Sequence, residues 1–242
     1  MAGCKLCGRE AQLVKAHIIP KSFWDIDPKH AFSMLTNTPG QFPRRSRIGV
    51  YDQTIVCETC ERRFSDYDSY AAKVLLHDTR KFVPVRDGSG DTLAYVIPNI
   101  NYGLLKLFGI AVLWRAGASS HSFFRRVKLG PYLDRARDML LRADPGAPDD
   151  FGITLAIWNR AKAPILMDPF PERWDGINYY RLYLGRYLAY IKVDRRPVPN
   201  LFSPTVLRPN APLVLIARLL ERSKELPLMW RILDTTGKHL FH

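Results

Sequence analysis

Cys4-Lys5-Leu6-Cys7 and Cys57-Glu58-Thr59-Cys60 hold all four cysteines of this 242-residue chain, in two pairs of identical spacing. A two-residue gap lets both thiolates of a pair face one ion from a tight turn, and two such pairs supply the four soft ligands of a tetrahedral zinc ion. No cysteine is left over, so the pattern predicts a structural Cys4 zinc site. A disulfide framework fits less well, because the N-terminus MAGCKLCGRE has no apolar signal-peptide core and disulfides belong to oxidising compartments. A thioredoxin-like redox pair would be single and set in a βαβ pattern. The expected localisation is cytoplasmic.

Between the pairs lie 49 residues, Gly8 to Val56, too many for a plain zinc ribbon. Gln12-Leu13-Val14-Lys15-Ala16-His17-Ile18-Ile19-Pro20-Lys21 reads as a short strand with apolar residues on both faces, ended by Pro20. A turn-rich loop follows through Asn37-Thr38-Pro39-Gly40. The basic stretch Arg44-Arg45-Ser46-Arg47 then leads into a second strand, Ile48 to Val56. The second cysteine pair opens a helix whose apolar face runs Phe64, Tyr67, Ala71, Val74, Leu75, with Glu61, Ser65 and Asp68 along a neighbouring face.

This order (CxxC, a strand with Ala16-His17-Ile18-Ile19-Pro20, a loop, a strand, and CxxC opening a helix) resembles the zinc-containing HNH, or ββα-metal, endonucleases over residues 4–76. The resemblance implies a treble-clef-like zinc module in which His17, at the family's strand histidine, is the general base. It also implies one divalent cation, Mg2+ or Mn2+, on the scissile phosphate. The family's metal-ligand positions fall on Ala16 and Glu61. Alanine cannot bind a metal, and Glu61 stands where histidine or asparagine is usual. Asp68, with Asp66 and Asp52 nearby, is a candidate to complete that site, while Glu61 equally suits a helix N-terminus. Arg44, Arg45 and Arg47 are either a solvated loop or a clamp on the nucleic-acid backbone.

The charge supports a polyanionic partner. The chain carries 36 Lys and Arg against 23 Asp and Glu, a formal +13. The excess is spread over both halves, with 14 basic against 10 acidic groups in 1–90 and 22 against 13 beyond. Hydrophobic residues make up 47% of the chain, enough for a sizeable core. A membrane span is not expected, since the longest apolar stretch, Leu104 to Trp114, contains Lys106 and is too short.

Residues 80–92, with Pro84 and Asp87-Gly88-Ser89-Gly90-Asp91, read as a turn or linker. The expected organisation is α+β: a small zinc-stapled module over 1–80, then a larger mixed α+β domain over 91–242. Within the latter, Asn101–Gly117 and Tyr132–Arg142 read as helices and Phe151–Trp158 as a strand. Ile177–Val193 reads as a hairpin about Gly185, and Ala211–Leu220 is open between helix and strand. Two basic-aromatic stretches, His121–Lys128 and Tyr179–Lys192, could serve nucleic acid, but their aromatics read first as core. Three functions stand: an HNH-like endonuclease hydrolysing DNA phosphodiesters, a non-catalytic zinc module binding nucleic acid, and a zinc-stapled interaction protein.

Overall fold

A computed structural model of the chain describes residues 2–24, 32–35, 44–46, 49–159 and 165–234. In chain order the strands before the first helix are β1 (Ala2–Gly3), β2 (Glu10–Ala11), β3 (Ala16–His17), β4 (Phe32–Leu35), β5 (Arg44–Ser46) and β6 (Tyr51–Asp52). Helix α1 (Glu58–Ala72) follows, then β7 (Val83–Arg86), β8 (Thr92–Ile97), α2 (Tyr102–Ala118) and α3 (Pro131–Arg142). The chain continues through β9 (Ile153–Asn159), β10 (Ile165–Met167), β11 (Phe170–Trp174), β12 (Ile177–Leu184), β13 (Tyr187–Lys192), β14 (Leu213–Leu219) and α4 (Glu225–Asp234). The class is α+β, with four α-helices among the described residues and a seven-stranded sheet ordered β11-β12-β13-β9-β14-β8-β7. All neighbours in that sheet are antiparallel except β14 and β9, which run parallel.

Helix α2 is the centre of the molecule. Asn101 caps it, its side chain accepting from the Leu104 amide at 3.0 Å. Nearly every residue from Leu105 to Ala118 is buried, so the helix has no polar face and must be covered on all sides. The sheet covers one side. Gly109 lets it come close, since a Cβ there would sit 2.4 Å from Ile153 Cδ1. Helix α1 covers another, with Phe64 and Trp114 ring centroids 6.1 Å apart. The segment before α1 adds Phe23, stacked on Phe108 at 5.4 Å. One hydrophobic core thus runs from Cys4 to Met229, shared by residues of 1–80 and 91–242.

The expected helices form, α2 within one residue at each end and α3 with Pro131 at its first position. The hairpin about Gly185 is β12–β13, with Leu184 paired to Tyr187 and Gly185 at φ +63°. Ala211–Leu220 resolves as strand β14. The stretch 80–92 differs from the linker reading. Val83–Arg86 is the edge strand of the large sheet, and Pro84 is tolerated there because an edge leaves donors unpaired. The Asp87 carboxylate then closes the turn by accepting from the Ser89 and Asp91 amides, both at 2.9 Å.

The two strands expected around His17 are also shorter than the sequence suggests. Residues 13–18 and 50–57 do run antiparallel, from the Leu13–Cys57 bridge to the bond from the Ile18 amide to Val50 O. Their ladder is interrupted at Asp52, whose carboxylate accepts from the Thr54 amide at 2.8 Å and turns the backbone out of register. No helix among the described residues is long and apolar enough to cross a membrane.

Candidate metal centre and histidine ribbon

The first cysteine pair sits in a tight turn. The Gly8 amide donates to Cys4 O at 2.8 Å and the Cys4 amide to Arg9 O at 2.9 Å, with Gly8 at φ +75° completing the reversal. The second pair opens α1. Cys57 is the N-cap in extended conformation, and the amides of Cys60 and Glu61 both donate to its carbonyl at 3.0 Å. A bond from the Lys5 amide to Ile55 O at 2.8 Å ties the two pieces together.

All four sulfurs lie within 4.8 Å of one another, and Cys7 Sγ and Cys57 Sγ are 4.0 Å apart. Four thiolates about 2.3 Å from a central zinc would be roughly 3.8 Å apart. The cluster can therefore hold one metal ion, and an all-sulfur donor set suits zinc. Cys4, Cys57 and Cys60 are buried and Cys7 half-buried. Two donors from the surroundings reach the sulfurs: the Cys57 amide on Cys4 at 3.4 Å and Arg9 Nε on Cys7 at 3.5 Å. Burial pushes the Cys60 thiol well up. At Cys7 burial acts in the same direction, but hydrogen bonds from Arg9 outweigh it and bring the thiol down to about 6.

The centre is anchored to the rest of the molecule. Lys5 Nζ donates to Ala118 O at the end of α2, at 2.7 Å, and Arg137 of α3 donates to Leu6 O. The cysteine turn is thereby joined to two helices far away in sequence.

His17 lies on β3, paired directly across with Tyr51 of β6, and Ala16 pairs with Asp52. Alternation separates the two faces of this ribbon. Ala16 and Asp52 are buried, whereas His17 and Tyr51 are half-exposed, their ring centroids 6.2 Å apart. Lys15, on the His17 side, places its ammonium 3.7 Å from the Tyr51 ring centroid.

The acidic candidates have different surroundings. The Asp52 carboxylate accepts from Thr54 Oγ1 at 2.6 Å, Ser119 Oγ at 2.7 Å and the Ser120 amide at 3.1 Å. Burial alone would raise its pKa, but these hydrogen bonds outweigh it and hold the group below the usual carboxylate range. Asp68 is bound at both oxygens by the buried guanidinium of Arg115, each bond 2.8 Å. Asp66 is exposed on α1. Glu61 is half-buried, and its Oε2 is buried without a hydrogen-bond partner. Burial raises the Glu61 carboxyl, Arg115 draws it back, and Asp68 adds to the rise.

Arg44 and Arg45 lie on β5, which pairs antiparallel with β4; Arg47 lies outside the described residues. In the basic-aromatic stretches, Phe123, Phe124, Tyr179, Tyr180, Tyr183, Tyr187 and Tyr190 are all buried, as the core reading expects. Arg181 is buried too, paired with Glu172 at 2.9 Å and with Glu225. Three residues near the ribbon and α1 escape a reading of the sequence: Lys15, Tyr51 and Arg115. Lys15 carries one available signal, since the strand read over residues 12–21 would place 15 and 17 on one side.

Compared with known proteins, the chain matches no family model, no curated protein and no solved structure.

Proposed function

We propose that this chain is an HNH-like endonuclease, a metal-dependent hydrolase of nucleic-acid phosphodiester bonds, with DNA as the substrate the family resemblance implies. The observation that carries the reading is His17, half-exposed on a short ribbon clamped against the four-cysteine cluster. Turn, ribbon and helix make a treble-clef-like module, and zinc in the cluster is structural, because four thiolates leave no position for water. His17 is the general base. Its ring takes a proton from a water that attacks phosphorus, the bond to the leaving oxygen breaks, and the leaving oxygen takes up a proton. Imidazole is the side chain that exchanges a proton most readily around neutral pH, which suits it to that task. Glu61, whose Oε2 is buried and lacks a hydrogen-bond partner, would hold a Mg2+ or Mn2+ ion that offsets charge on the phosphate and the leaving oxygen. Asp68 does not fit that role as placed, since Arg115 occupies both its oxygens.

The test is cleavage of supercoiled plasmid with Mg2+ or Mn2+ by the full chain and by His17→Ala. Nicking that the variant loses supports the reading; equal nicking by both overturns it. A second reading, a cytoplasmic zinc module that binds nucleic acid without cutting it, draws on Ala16 and on the Arg115-bound state of Asp68. It predicts no cleavage with any divalent cation, alongside salt-sensitive binding.

A further inference from the structure

The ribbon carries a cation beside the histidine. Lys15 stands two residues before His17, just ahead of β3, and its side chain reaches the same Tyr51 ring that lies across from the imidazole. Tyr51 stands opposite His17 in register, its ring tilted 58° to the imidazole. The Lys15 ammonium rests over the other ring of this arrangement, 3.7 Å from the Tyr51 centroid. Lys15 is exposed, and among the described residues it has no salt-bridge partner. A ring attracts an ammonium but does not neutralise it, so the charge stays available to an anion. What the ring does is restrict a side chain that would otherwise sample many rotamers, and that ring is the one 6.2 Å from the imidazole. An ammonium held in one place has three donors, well suited to a phosphate oxygen as a point charge.

We propose that Lys15 binds a non-bridging oxygen of a nucleic-acid phosphate laid across the ribbon, with Tyr51 as the positioning residue that aims it. The inference rests on the nuclease reading for which phosphate this is, and it makes recognition at the ribbon independent of base sequence. A phosphate contact of this kind has a measurable signature. Each one formed on duplex DNA releases condensed counterions and adds about 0.9 to the slope of log affinity against log salt.

The experiment measures binding of a fluorescent duplex by anisotropy between 50 and 200 mM NaCl, without added divalent cation, and plasmid cleavage with Mn2+ in parallel. Lys15→Ala is expected to lower the salt slope by about 0.9 and to weaken binding several-fold, with zinc content and thermal midpoint unchanged. Lys15→Arg restores the slope. Tyr51→Phe keeps the ring and matches the native protein, whereas Tyr51→Leu moves toward Lys15→Ala. A native protein that cuts plasmid, with Lys15→Ala retaining its slope and its cleavage rate, overturns the proposal and leaves the nuclease reading standing. A native protein that binds with a Lys15-dependent slope but never cuts supports the contact and sinks the hydrolase. No binding by the native protein at any salt overturns the contact, and no cleavage beside it overturns the hydrolase as well.

Discussion

Replacing Asp68 with Asn separates a packing carboxylate from a metal ligand. The change keeps the shape of the side chain and removes its charge. The partner it abandons, Arg115, is wholly buried, while the Asp68 side chain keeps 18% of its surface. Arg115 has other neighbours: its Nε donates to Ala111 O at 3.3 Å, and its guanidinium carbon lies 4.9 Å from the Phe64 ring centroid. Neither supplies a negative charge. Removing one partner of a buried ion pair costs about 3–5 kcal/mol, because the other charge stays behind uncompensated. Two features reduce that figure. Asp68 is partly solvated, and Glu61 is near enough to Arg115 to be drawn down by it, so it takes over part of the pairing.

About 2–3 kcal/mol remains, which for a chain of this size lowers the thermal midpoint by roughly 5–10 °C. Calorimetry on the zinc-loaded protein reads that shift, and a urea titration checks it through the midpoint. Arg115→Met in the Asp68→Leu background should recover part of the loss, since an apolar pair leaves no stranded charge. The reasoning fails if Asp68→Asn melts within a degree or two of the native protein while its divalent-cation dependence of cleavage disappears. Asp68 would then be a ligand whose contact with Arg115 is incidental.

Three further outcomes follow from the fold. Cys60→Ser, at a buried corner of the sulfur cluster, should lose stoichiometric zinc by elemental analysis and lose protection from proteolysis around residues 2–24; retained zinc at full stoichiometry would break the four-sulfur assignment. Lys106 is fully buried with long bonds of 3.4 and 3.3 Å to Ala147 O and Pro148 O, and burial pushes its ammonium down to about 7 from an ordinary 10.5. The unfolded chain therefore holds a proton that the folded one has released, so stability rises with pH from about 7 toward 10, by at most about 1.4 kcal/mol per pH unit. Lys106→Met should flatten that rise in urea midpoints taken at pH 6, 7, 8 and 9 and be the more stable protein at pH 6, and parallel profiles for the two would refute it. Gly109→Ala puts a Cβ 2.4 Å from Ile153 Cδ1, the movable end of that side chain, so the clash is partly offset by alanine's helix preference; adding Ile153→Val should raise the urea midpoint of Gly109→Ala by more than Ile153→Val alone changes the native protein, and strictly additive effects would mean that the two positions are not in close contact.

The elements that the sequence makes legible are those whose pattern closes within a few residues. Helix α1 and the wider π turn over Lys73–His77 that continues it follow from Cys57 at the cap and from the spacing of Phe64, Tyr67, Ala71, Val74 and Leu75, all of them buried. The Gly185 hairpin follows from one glycine between two runs of apolar and aromatic residues. The ribbon at His17 is only half legible, because its register is broken by a carboxylate, Asp52, that accepts from the Thr54 amide two residues on and from Ser119 Oγ, 67 residues away. Strand β7 is hidden by Pro84, which argues against a central strand and says nothing against an edge. The parallel pairing of β14 with β9 joins segments some sixty residues apart, which no local pattern encodes.

The candidate site divides along the same line. Four cysteines at matched spacing announce a common purpose, so the sulfur cluster that could hold a metal ion is legible in the order of residues alone. A single acidic residue announces only a charge. Asp68 reads as a helix-face carboxylate available to a cation until Arg115, buried in the last turn of an apolar helix, takes both its oxygens. That arginine is itself the clue: a cation inside a helix buried on every side cannot remain unpaired, so some carboxylate on a neighbouring element must meet it. Lys15 is the converse case. Its partner is an aromatic ring fixed by cross-strand register, which attracts the ammonium without neutralising it, so nothing in the order of residues singles it out from any other exposed lysine.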